Sequence, residues 1–165
     1  MTAFFLLKAI CAFLEETLKE YATAQNKLGE YVTPKVFEWY LPFVTAGPDP
    51  KIDFPYVAAR IVKGQDLEDS MVNVNLYFGV YCKGEEIDGL TKPDGAYDLL
   101  NLMEHVRIAL NRKGVLDNKF ELQKPYEWEL SDEQPYPLWV GWASTKWNVA
   151  APLQQLGVDI HGNSW

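Results

Sequence analysis

The sequence predicts an α+β fold: an antiparallel sheet of hairpins with two main helices packed on one face. Two long segments repeat apolar residues at three- and four-residue steps, the pattern of helices buried along one stripe. Two other regions alternate apolar and polar residues with period two, as half-buried strands do. The order helix, strands, helix, strands gives hairpins with helices laid on one face, not a doubly wound nucleotide fold. At 165 residues the chain fits a single domain, and a chain of that size buries roughly 70% of its unfolded surface without staples. That domain is placed at residues 1–152, with a loosely structured tail at residues 153–165.

Helix one is expected from about Thr2 to Gln25, with Phe4, Leu7, Cys11, Leu14, Leu18 and Tyr21 as its buried stripe. Phe5, Leu6 and Phe13 fall outside that stripe, so the helix is apolar on two sides near its start and needs two surfaces to cover it. The apolar run Ala3–Leu14 is not read as a signal peptide: no basic residues precede it, Lys8 interrupts it and no small-residue cleavage site follows. It is also too short to span a bilayer. Asn26 and Gly29 supply stop chemistry.

Val36–Tyr40 reads as a short edge strand between Pro34 and Pro42, because proline is excluded from the middle of a sheet. Ala46-Gly-Pro-Asp-Pro is a loop. Phe54–Lys63 is apolar on both faces, as a central strand is. Met71–Tyr81 alternates, with Val72, Val74, Leu76, Phe78 and Val80 on one side. The acidic stretch Gly64–Ser70 joins the two strands, and Cys82–Gly95 is a second polar loop.

Helix two runs from Ala96 to about Lys113, with Gly114 as its stop and Leu99, Leu102, Met103, Val106 and Leu110 buried. Tyr97 and Ile108 project from the opposite side, where polar residues are the rule, and so point to a partner surface. The final hairpin pairs Phe120–Leu130 with Leu138–Val149 around a turn at Asp132–Pro137, and Lys124-Pro125 marks a bulge or an edge. Trp128 is expected in the core. Trp139 and Trp142 lie on opposite faces of one strand, so one of them is left for a subunit interface.

Reactive chemistry finds little support in the residues. His105 lies away from the buried stripe of helix two and His161 sits in the tail, both read as bystanders. Asp66, Glu68 and Asp69 lack the ligand spacing of a calcium loop and read as a solvated hairpin tip. Glu127 and Glu129 are ordinary outward residues unless their face lines a cleft. Gly84 and Gly89 open no phosphate loop. Cys11 and Cys82 lie in apolar runs and read as reduced thiols. No catalytic residue, metal or cofactor is expected. A formal charge of −8 without a basic cluster disfavours nucleic-acid binding.

Several segments resemble a family of phage tail proteins from Gram-positive hosts and their prophages, the tail terminators. They are Pro34-Lys-Val-Phe-Glu-Trp-Tyr-Leu-Pro, Phe54-Pro-Tyr-Val-Ala-Ala-Arg, Val72–Tyr81 and Tyr97-Asp-Leu-Leu-Asn-Leu. The strongest part is Phe120-Glu-Leu-Gln-Lys-Pro-Tyr-Glu-Trp-Glu-Leu with Asp132-Glu-Gln-Pro-Tyr-Pro-Leu-Trp after it. The resemblance spans roughly Pro34 to Pro152, with the segments in the family's order. The chain departs from the pattern in a longer Cys82–Gly95 loop, in the tail after Pro152, and in lower charge around Trp139-Val-Gly-Trp.

The resemblance implies a structural protein of the virion neck, made in the host cytoplasm, with no catalytic residues. It implies a ring of copies of itself, commonly a hexamer, that caps the tail tube, ends tube polymerisation and meets the head-tail connector. The expected partners are thus the tail tube protein and connector proteins, with no membrane and no specific nucleic acid. A closed ring needs two different complementary surfaces. Phe5, Leu6 and Phe13 are the candidates for one; Tyr97 and Ile108, or Trp139, for the other. The loop of Asp66, Glu68 and Asp69 is the candidate lumen- or tube-facing element, where like charge discourages DNA from sticking. Two alternatives are another neck or head-completion protein, and a small ligand-binding module using the Trp-rich hairpin.

Overall fold

The computed structural model describes residues 2–41 and 53–150. The expected Ala46-Gly-Pro-Asp-Pro loop, the domain limit at Pro152, the tail from residue 153 and His161 lie outside the described residues. Along the chain come α1 (Thr2–Leu18), β1 (Lys35–Glu38), β2 (Tyr56–Asp66), β3 (Ser70–Tyr81), β4 (Glu86–Ile87), β5 (Leu90–Thr91) and α2 (Asp94–Lys113). Then follow β6 (Val115–Leu116), β7 (Phe120–Leu130) and β8 (Leu138–Val149).

The fold is α+β, as the periodicities indicate. Among the described residues six strands make one sheet in the order β1-β2-β3-β8-β7-β6, and β4 with β5 makes a separate two-stranded ribbon. The two hairpins of the sequence reading, β2–β3 and β7–β8, join through β3 and β8. These central strands pair antiparallel without a break from Ser70 opposite Val149 to Tyr81 opposite Leu138. The sheet is not wholly antiparallel. β1 is the expected edge strand, but it runs parallel to β2, Lys35 opposite Tyr56 and Glu38 opposite Ala59. More than a dozen residues separate the two, and a connection of that length permits a parallel crossover where a tight turn does not.

Both helices cover one face. Their stripes meet Val57, Ala59, Val72, Val74, Leu76, Phe78, Val80, Ala143 and Trp147 in a single apolar cluster. On α2 the five residues expected inside are all buried, and Gly114 ends the helix at φ 69°, its N–H donating to the Leu110 carbonyl at 2.9 Å. Residues with φ in that region are mostly glycines because they lack a Cβ.

Three expectations for helix one need correction. It stops at Leu18, not Gln25, because the chain turns to bury Ala24 and to form an Asn26 turn, whose Oδ1 accepts from the N–H groups of Leu28 and Glu30. A turn repeats the three-residue step of a helix, so the periodicity past Leu18 did not separate them. The buried stripe is Leu6, Leu7, Ile10, Cys11, Leu14 and Leu18, while Phe4 is exposed. Leu6 is fully enclosed by its own chain and is removed from the candidate interface.

The uncovered face of the sheet explains why β2 is apolar on both sides. Phe54, Tyr56 and Ala58 form a second, smaller cluster there with Phe37, Leu41, Tyr77, Tyr81 and Leu138. At the other end of that face Glu127 and Glu129 stand exposed, opposite Ser144 and Trp142 on β8. The register of β7 shifts between Gln123 and Glu127, at the Lys124-Pro125 step where an irregularity was expected.

Candidate functional site

The tryptophans exchange roles relative to the sequence reading. Trp147 fills the core, its indole N–H donating at 2.8 Å to Thr145, whose hydroxyl donates at 2.7 Å to the Val74 carbonyl. Trp139, proposed for an interface, is instead a structural clamp. It packs against the core, and its Nε1 donates to the Cys82 carbonyl at 2.9 Å. Gly95, in the first turn of α2, passes so close that an added Cβ would lie 2.0 Å from that nitrogen. Trp128, expected inside, is 51% exposed. It stands on the helix-bearing face beside α2 and walls an open groove of about 180 Å³ with Leu100, Met103, Glu104 and Arg107. Its place in an outer strand leaves it with cover from one side only.

Three other interface candidates are surface side chains. Phe5 is 58% exposed and lines a cleft with Thr2, Lys119, Phe120, Glu121, Asn148 and Val149. It stacks edge-on with Phe4, their centroids 5.5 Å apart. Tyr97 is 66% and Ile108 38% exposed, on the outer side of α2. Phe13 is half-buried against the core and offers little to a partner. Phe5 borders Asn148 and Val149 at one end of β8, whereas the first turn of α2, which carries Tyr97, packs on Trp139 at the other. A strand of that length spans roughly 35–40 Å. The two apolar surfaces are well separated.

Asp66, Glu68 and Asp69 sit exposed at the β2–β3 tip, and the Ser70 hydroxyl donates to the Asp66 carboxylate. Leu67 projects among them, an apolar residue that the reading of this loop as acidic passed over.

The titratable groups do structural work. Nε2 of His105 donates to the Thr17 carbonyl at 3.2 Å, and its ring lies 4.8 Å from that of Tyr21. This imidazole therefore caps the last turn of α1 and ties the helices together, a fuller role than that of a bystander. Burial, with help from Glu38 and Glu15, pushes the Cys11 thiol up to about 12. Burial raises the Cys82 thiol too, with Asp94 and Asp98 nearby adding to it. Both are free thiols held in the protonated form, which is the unreactive one. Among the described residues no group of His, Cys, Asp and Glu is placed to hold a metal ion, and no helix is long and apolar enough to cross a membrane.

Compared with known proteins, the chain matches no family model and no curated protein.

Proposed function

We propose that this chain is a structural subunit of a phage neck: a tail terminator that assembles with copies of itself into a ring, commonly six, on the end of the tail tube. The resemblance of five segments in family order motivates the reading. The observation that carries it is the pair of apolar surfaces at opposite ends of β8, Phe4 with Phe5 on one and Tyr97 on the other. Heterologous ring contacts require two surfaces of different shape on each subunit. Large aromatics grouped together, as Phe4 and Phe5 are, suit such contacts. In this reading the Asp66–Asp69 tip faces the lumen or the tube, and the excess of acid over base keeps DNA from adhering. The ring's other face meets connector proteins.

Purified tail tubes provide the test. Tubes extended in the presence of the protein should stop at defined lengths and show an added terminal ring by negative-stain microscopy. Unrestricted growth with no protein bound at the tube ends would overturn the reading. Disrupting the gene in a phage that carries it separates the neck alternatives: overlong tubes mark a terminator, whereas normal tails beside unjoined heads mark a joining protein.

A further inference from the structure

The β4–β5 ribbon is built unlike the rest of the molecule. It belongs to neither the main sheet nor the core, and residues 83–93 are all exposed. A lone two-stranded ribbon is marginal in water, yet this one has a firmly tied root. The Cys82 N–H donates to the Pro137 carbonyl, the Tyr136 hydroxyl to the Lys83 carbonyl and the Trp139 indole to the Cys82 carbonyl, at 3.0, 2.9 and 2.9 Å. The Glu85 N–H donates to Asp94 at 3.0 Å and the Lys92 N–H to the Glu85 carbonyl at 2.8 Å. The turn Asp88-Gly89 has positive φ at both residues, the geometry that matches the twist of a tight hairpin.

The end of this arm is apolar. Ile87 and Leu90 are directly paired, so their side chains share one face, and Leu90 is 75% exposed. Glu86 and Asp88 flank them and have no ion-pair partner among the described residues. A fixed root with an apolar end that is exposed among the described residues is suited to a contact.

The same molecule carries an open groove that no residue of the arm lines. The groove walled by Trp128, Leu100 and Met103 has Arg107 and Glu104 on its rim, paired at 2.8 Å across one helical turn at the surface, and its volume of about 180 Å³ is open to solvent. A cavity of roughly 150 Å³ accepts a benzene-sized guest, so two branched aliphatic side chains are of suitable size. The arm's carboxylates are opposite in sign to the guanidinium, and such rim charges guide docking and register. The arm does not fill its own groove, since residues 86–91 are exposed.

We propose that the β4–β5 arm docks its Ile87–Leu90 face into the Trp128 groove of a second copy of this chain. The proposal deepens the ring reading and rests on it for the identity of the occupant. Arm and groove are different surfaces, so each copy gives one and receives one, as closure requires.

The test uses the full chain with Cys82→Ala. Leu90→Cys and Leu100→Cys chains carrying different tags are mixed and mildly oxidised. The expected product is a disulfide between the two tagged chains, formed at least tenfold faster than with Asn73→Cys replacing Leu100→Cys. Ile87→Ser with Leu90→Ser should weaken self-association at least tenfold with an unchanged melting temperature, because among the described residues the arm end belongs to neither apolar cluster. Arg107→Glu should weaken it as well, and Asp88→Arg should restore it. A disulfide confined within single chains that carry both cysteines, or self-association indifferent to the serine pair, overturns the proposal. Tubes capped normally by the serine variant would sink the arm while leaving the terminator intact. Crosslinking between copies by a chain that ignores tubes would sink the terminator while leaving the arm.

Discussion

At the level of single residues, partners decide more than hydrophobicity does. Trp128 and Trp139 are the same side chain on the same strand pair, but of the two only the Trp139 N–H has a hydrogen-bond partner among the described residues, the Cys82 carbonyl, and its ring lies tight against Gly95 in the first turn of α2. Tyr126 illustrates the cost of lacking such a partner. Its hydroxyl is buried and unpartnered among the described residues, and burial drives its ionisation well above the ordinary tyrosine range. A buried polar atom without a hydrogen bond costs about 1–3 kcal/mol. Tyr126→Phe keeps the ring and removes that cost, so it should raise the unfolding free energy by about 1 kcal/mol in urea titrations. A loss of stability would show that the hydroxyl has a partner. No sequence pattern distinguishes these positions, because every one of them is simply an aromatic in an alternating strand.

For the elements, the periodicities identified both helices and the long strands, and what they misplaced was an end and a direction. The end of α1 was illegible because the turn after Leu18 preserves helical spacing. The direction of β1 was illegible because a four-residue strand reads alike in either sense. The junction of α2 with β8 depends on a contact that spacing never shows, Gly95 against Trp139. Gly95→Ala forces the indole aside or the helix outward, and overpacking of this kind costs about 1–3 kcal/mol. Gly64→Ala is the control, since its new Cβ meets nothing closer than the Met71 carbonyl at 4.0 Å. Thermal unfolding of the two variants should show a clear drop for the first only. Equal melting temperatures would mean that the junction yields without strain.

The whole molecule leaves apolar side chains outside although its core is well filled, and the candidate site consists of these leftovers. Of the six interface residues named from the sequence, Phe5, Tyr97 and Ile108 are exposed, Phe13 and Trp139 are half-buried against the core, and Leu6 is enclosed. Phe5→Ser combined with Tyr97→Ser should reduce self-association at least tenfold in sedimentation velocity, with an unchanged circular dichroism spectrum. Association equal to that of the parent chain would remove both from the interface. Such surfaces were partly legible, because an apolar residue on the polar side of a helix stands out against its 3.6-residue repeat. The β4–β5 arm carried a signal of its own, Asp88-Gly89 between Ile87 and Leu90, which the reading of Cys82–Gly95 as a polar loop passed over.

The sequence by itself determined the α+β class, the long strands β2, β3, β7 and β8, and the buried stripe of α2 down to single residues. Those are properties of local period, written into the order of side chains along a few turns or strands. Only the tertiary structure decided that β3 pairs with β8, that β1 runs parallel, that Leu6 belongs to the molecule's own interior and Trp139 packs against it, and that the Cys82–Gly95 loop stands out as an arm. Each depends on contacts between residues distant in the chain, and a one-dimensional repeat carries no information about which distant partner arrives.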